Sequence, residues 1–214
     1  MHLNIATLFS IPAMVSTSLF LLGAQPALAC QTGVLSNVNE VVPTSRIDSA
    51  ALDQAITYYT NKERCARGLQ AVGSNQGLTK MARSHSKWMA KAQKLSHKAR
   101  GTGATTLQKR LKRSGLPFKG GTENIGVTHR FQLETGRRFT TSKSAECVFT
   151  TGGKQIPPHS YSSLAKHIVG LWMASPGHRK NLLMRDVKYV GAAASFDKKG
   201  TNCGQYYMTQ ILSK

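Results

Sequence analysis

Apolar side chains recur along the first half of the chain at helical spacing, and two strand-like runs close it. Leu52, Ala55, Ile56, Tyr59 and Ala66 make a first stripe, opened by Asp48 as an N-cap and stopped by Gly68. A second helix is predicted over about 78–97. Leu78, Met81, Ala82, His85, Trp88, Met89, Ala92 and Leu95 share its apolar stripe, while Lys80, Lys87, Lys91 and Lys94 lie off it. A shorter helix at 106–114 turns Leu107 and Leu111 inward and Lys109, Arg110, Lys112 and Arg113 outward. The segment 123–127 is bounded by glycine and reads as a loop or the start of a strand.

Between about 128 and 160 the period is lost. Gly136, Gly152, Gly153, Pro157 and Pro158 punctuate a stretch that reads as an insertion of loops or a hairpin. Ser160 or Ser162 can cap a helix through Leu164, His167, Ile168, Leu171 and Trp172, ended by Pro176 and Gly177. Runs at 188–196 and 205–212 follow, joined by a turn at 197–200. Helices early and paired strands late predict one α+β domain over 48–214, with helices packed on a small antiparallel sheet.

Residues 1–29 carry no Lys, Arg, Asp or Glu, and an apolar run precedes Ala27, Leu28 and Ala29. That small-x-small ending is a signal-peptidase pattern, and the run is too short for a membrane span, so the mature protein is expected to be exported without a transmembrane segment. Residues 30–47 read as an N-terminal arm or linker. Cys30 would be the first mature residue, which admits a second reading as a lipoprotein anchored through that thiol. Ala27 stands where the lipidation motif usually has leucine. The four cysteines, Cys30, Cys65, Cys147 and Cys203, permit two disulfides in an oxidising compartment, with Cys147–Cys203 the expected pair. A secreted or periplasmic protein is the favoured reading.

Charge adds a second theme. There are 29 Lys and Arg against 9 Asp and Glu, a formal net charge of +20. Between Arg64 and Lys119 stand fourteen basic residues and no acid. Such a face is either a solubilising surface or a docking surface for an anionic envelope polymer or lipid, and the size of the bias favours docking. Lys87, Lys91, Lys94, Lys109, Arg110, Lys112 and Arg113 are the candidate anion-binding residues. Aromatic residues are not interleaved with them, which argues against a nucleic-acid partner.

An ordered set of short motifs then narrows the class. It runs Asn61-Lys62-Glu63-Arg64, Gly68-Leu69, Ala82-Arg83-Ser84-His85, Leu95-Ser96-His97 and Glu123-Asn124-Ile125. It continues with Trp172-Met173-Ala174-Ser175-Pro176-Gly177-His178, Asn181-Leu182-Leu183 and Tyr206-Tyr207-Met208-Thr209-Gln210. The series resembles the bacterial SCP-domain branch of the CAP superfamily, which includes cysteine-rich secretory proteins, antigen 5 and plant pathogenesis-related proteins. The resemblance implies an α-β-α sandwich and a cleft lined by two histidines and two acids. By motif these positions are His97, Glu123 and His178, with Ser175 where eukaryotic relatives carry the second acid. It also implies that some relatives bind a divalent metal at the cleft, and that an apolar lipid between helices is a conceivable ligand.

Two imidazoles and a carboxylate can hold Zn²⁺ or another divalent metal with one position open. The same three groups can equally form a hydrogen-bonded cluster that braces the cleft, and both readings stand. Ser175, three residues before His178, suggests a serine hydrolase, but a serine before proline at a helix end is ordinarily a turn residue. His85, Trp88 and Trp172 read as core, with His85 a satisfied one; His129 and His159 flank the insertion and could border the cleft. The leading expectation is a binding module with a His/Glu cleft and a basic face. The alternative is a metal-assisted hydrolase of peptide, cell-wall or ester substrates.

Overall fold

Asp48 opens the first helix as the pattern predicts. Its carboxylate accepts from the amides of Ala50 (2.9 Å) and Ala51 (3.1 Å), two donors that no helical carbonyl reaches. In this computed structural model, which describes Cys30, Leu35 and residues 38–133, 137–142 and 147–214, that helix is α1 (Ser49–Cys65). The expected leader at 1–29 lies outside the described residues. Gly68 terminates the segment with φ at 68°, a backbone angle costly for any residue bearing a Cβ.

A two-residue strand β1 (Gly73–Ser74) leads into α2 (Gln76–Ala92), capped by the Asn75 side chain on the Leu78 amide at 3.1 Å. After α3 (Leu107–Arg113), capped by Thr106, comes the long strand β2 (Gly121–His129). The short strands β3 (Thr140–Thr141), β4 (Phe149–Thr151) and β5 (Lys154–Gln155) follow. Helices α4 (Tyr161–Ala174) and α5 (Pro176–Leu182) precede the closing hairpin, β6 (Tyr189–Asp197) and β7 (Gln205–Ser213).

The main sheet has the order β1-β6-β7-β2, antiparallel except for the parallel β1–β6 pair. Its residues alternate between two cores. Ala192, Ala194, Tyr206 and Met208 face α1 and α4, where Ile56, Leu164, Ile168 and Trp172 meet them. Ala193 and Ile211 face the other way, onto Leu78, Met81, Ala82 and Leu111 of α2 and α3. The molecule is therefore an α-β-α sandwich, as expected. The run of alanines in β6 lets helices approach both faces closely. Gly191 is the extreme case: a Cβ there would stand 2.2 Å from the Thr79 backbone nitrogen.

Three sequence expectations change. Helix α2 stops at Ala92, five residues short of the predicted end, because Gln93 takes a left-handed conformation (φ 48°) and turns the chain away. Leu95 therefore leaves the apolar stripe and is 47 % exposed. The segment 123–127 is the middle of a strand, paired with β7 across its whole length. The 128–160 insertion holds its own three-stranded sheet, β3-β4-β5, over a small core of Phe131, Leu133, Phe149 and Ile156.

Two disulfides tie the periphery down. Cys147–Cys203 fastens the insertion to the β6–β7 connection, as expected, and Cys30–Cys65 fastens the arm to the end of α1. The second bond occupies the sulfur that a thioether lipid anchor would need. The arm is docked at Val42. Val42 is buried, its carbonyl accepts from the Tyr206 hydroxyl at 2.8 Å, and burial pushes that phenol up to about 12.

Candidate functional site

Glu123 sits in β2 with its side chain on the α2–α3 side of the sheet and only 1 % of it exposed. A carboxylate so buried requires partners, and Arg110 supplies them. Its Nε donates to Oε2 at 2.8 Å and its Nη2 to Oε1 at 2.7 Å, a two-pronged charge-assisted contact. The same guanidinium donates from Nη2 to the His97 carbonyl and from Nη1 to the Ala104 carbonyl, each at 2.9 Å. One side chain thus neutralises Glu123 and fixes the loop that carries His97.

This corrects the assignment of Arg110 to the anion-binding surface. At 1 % exposure it points inward between Leu107 and Leu111, whereas Lys109, Lys112 and Arg113 are exposed. The spacing 107, 110, 111 is the inward face of a helix, so position alone carried the signal. Four basic residues within seven made them look interchangeable.

His97 lies over this pair. Its Nδ1 is 2.8 Å from Glu123 Oε1, and more than half of its side chain is exposed. His85 approaches the same carboxylate from below, with Nε2 at 3.8 Å from Oε1 and its ring stacked on Trp88. It is core, as expected, yet not satisfied: neither ring nitrogen makes a well-formed hydrogen bond, although the Ser96 main chain lies beside it. Burial holds the His85 pKa down at about 4, outweighing the pull of Glu123, so the ring is neutral at neutral pH.

His178 stands half-buried on α5. Pro176 starts that helix immediately after α4 ends, the position where a missing N–H costs nothing. Asn181, one turn on, donates to the Glu123 carbonyl (3.2 Å) and to Asn124 Oδ1 (2.9 Å). Asn124 in turn donates to the His178 carbonyl (3.3 Å) and to Gln210 Oε1 (3.2 Å). Burial lowers the His178 pKa, and the charge of His97 lowers it further. Neither asparagine was a sequence candidate, because isolated amides far apart in the chain carry no pattern.

With this geometry established, the comparisons decide the class. The family model described as the cysteine-rich secretory protein family, CAP, matches residues 57–212. The chain belongs to that family. Among solved structures, an extracellular SCP-domain protein from Bacillus anthracis aligns with a TM-score of 0.52 at 23% identity, covering 78% of this chain and 41% of that one. An outer surface protein from Borrelia burgdorferi aligns with a TM-score of 0.52 at 15% identity, covering 78% of this chain and 96% of that one. The chain therefore spans less than half of the Bacillus protein. At these identities the likeness is one of fold. No curated protein matches significantly.

The CAP cleft residues fit a zinc ion poorly. Both Glu123 oxygens are engaged by Arg110, and Nδ1 of His97 is engaged by Glu123. What remains for a cation is the outer nitrogen of His97 and the ring of His178, one short of the three protein ligands of a catalytic zinc. A guanidinium against the carboxylate also repels a dication. Among the described residues no group of three or more His, Cys, Asp or Glu is arranged to hold a metal.

Ser175 is the junction of α4 and α5, its amide bonded to the carbonyls of Leu171 and Trp172. No hydrogen bond links its hydroxyl to His178, so the structure does not pair these two as nucleophile and base. His159 lines a hollow of about 460 Å³ with Ser163 and His167, and neither His97 nor His178 is part of that lining.

The buried histidines should make the CAP domain acid-labile. His159 is also held at about 4, by burial first and then by His167 and His129. Unfolding restores a value near 6.5, so below that pH the unfolded chain binds more protons than the folded one. Stability from these groups is complete above about pH 6.5 and is lost as pH falls toward 4, by an amount on the order of 3 kcal/mol per ring. Asp53, whose pKa burial raises, opposes part of this loss at the acid end. Melting temperatures between pH 7.5 and 4.5 should drop steeply, and His85→Phe should flatten the curve. An unchanged curve in the variant would contradict the burial account.

Proposed function

We propose that this CAP domain is an exported binding module that adheres to phosphate-bearing, anionic envelope surfaces through its basic helices. The observation that carries this reading is the acid-free run from Arg64 to Lys119, whose Lys87, Lys91, Lys94, Lys109, Lys112 and Arg113 all stand exposed. An excess of one sign on a surface concentrates counter-charged polymers and lipids around it.

Export is supported by the small-x-small ending at Ala27-Leu28-Ala29, by two disulfides, and by neighbours described as extracellular or outer surface proteins. Among the described residues no helix is long and apolar enough to cross a membrane. The cleft of His97, Glu123 and His178 acts here as a recognition pocket, rigid because Arg110 and Asn181 brace it from both sides. The hydrolase reading needs a nucleophile beside a base, and the cleft geometry supplies no such pair.

The test is co-sedimentation of the mature protein with vesicles. Vesicles of phosphatidylcholine with one-third phosphatidylglycerol should retain most of the protein, and phosphatidylcholine alone should retain little. Equal binding to both would refute an electrostatic adhesin.

A further inference from the structure

The basic residues are not spread evenly. A groove of about 820 Å³ runs between the outer face of α2, the turn after β6 and the docked N-terminal arm. Arg83, Lys87 and Lys91 of α2, Arg46 of the arm, and Lys198 and Lys199 of the turn all line it. None of the six makes an ion pair or side-chain hydrogen bond among the described residues.

The lone acid in the lining, Asp197, is occupied by uncharged donors. Its Oδ1 accepts from the Lys199 amide at 2.9 Å and its Oδ2 from Gln93 Nε2 at 2.9 Å. Asp197 thereby locks the turn that holds the two lysines, without pairing with any of the surrounding cations. The geometry is also built against local preference. Arg46 (φ 53°) and Gln93 (φ 48°) are two of five non-glycine residues among those described with left-handed backbone, and both border this groove. Residues in that conformation cluster where a structure positions ligands. Arg83, Lys87 and Lys91 further stack like charges at successive i, i+4 positions, which weakens a helix unless negative charge lies across them.

Resting on the proposed anionic adhesion but naming its site, we propose that this groove binds a short chain of closely spaced phosphate groups. A concave wall concentrates the field of its charges, as a flat face does not. Two arginine forks suit the paired oxygens of a phosphate, and four lysines supply mobile point charges along its length. The groove is much larger than one phosphate, so the fitting ligand carries several. It stands apart from the His97–His178 cleft, none of whose residues line it.

The test is calorimetric titration of the mature protein with inorganic tripolyphosphate, with orthophosphate and citrate as comparators. Tripolyphosphate should bind at least tenfold tighter than either. Arg83→Gln with Lys87→Gln should weaken it at least tenfold, and Lys198→Gln with Lys199→Gln should do the same from the opposite wall. Lys109→Gln with Lys112→Gln on α3 should stay within twofold. Melting curves of the variants separate lost binding from lost folding. Equal losses in all three pairs, citrate binding as tightly, or no tripolyphosphate binding would each overturn the groove. If vesicle adhesion survives such a result, the wider reading stands without the groove; if adhesion is also absent, both fall.

Discussion

Arg110→Met is expected to lower the unfolding free energy by about 3–5 kcal/mol, the usual cost of leaving one member of a buried ion pair alone. Glu123 would keep its burial and lose its two strongest donors, and the carbonyls of His97 and Ala104 would lose theirs. Arg110→Met combined with Glu123→Leu should recover part of the loss, because no buried charge then remains. Recovery should be incomplete, since the loop carbonyls stay unpaired. Urea unfolding of the two single variants and the double one measures this directly. Additive losses would mean that the pair is not coupled.

Arg64→Met should cost about 3 kcal/mol or more by a different route. Arg64 is fully buried without a carboxylate, and it donates to three carbonyls: Gln70 at 2.9 Å, Leu182 at 2.7 Å and Met184 at 2.8 Å. Burial lowers its pKa, yet an arginine stays charged. It joins the loop after α1 to the end of α5, the helix that bears His178. Arg64→Lys, with fewer and less spread donors, should restore only part of the stability. Amide exchange should speed up around Leu182 and Met184 in both variants. Exchange that stays native there, with stability unchanged, would remove Arg64 from the account.

These two arginines mark how far the sequence could be read. Helix starts at Asp48, Thr106 and Ser160 were legible because a capping side chain acts within three residues of itself. The β6–β7 hairpin was legible too, whereas four cysteines allow three pairings and the sequence does not choose among them. His97, Glu123 and His178 came from motif resemblance, and the structure joins the first two directly, His97 Nδ1 to Glu123 Oε1 at 2.8 Å. What joins them was hidden. Arg110 looked like its surface neighbours, and the Asn124, Asn181 and Gln210 amides meet across 57 to 86 residues of chain. The left-handed turn at Gln93, which sends His97 back over Glu123, has no glycine to announce it.

Adhesion driven by charge is tested most directly by the affinity of the mature protein for phosphatidylglycerol-bearing vesicles across a salt series. Surface charges separated from a partner are screened over about 10 Å at 0.1 M salt and about 3 Å at 1 M. The binding constant should fall steeply and steadily as salt rises, with the His97→Ala/His178→Ala variant following the same line as the native chain. Binding that holds level from 0.05 to 0.5 M salt (about a threefold change in screening length) would contradict charge-driven adhesion and move the search for the partner to the cleft.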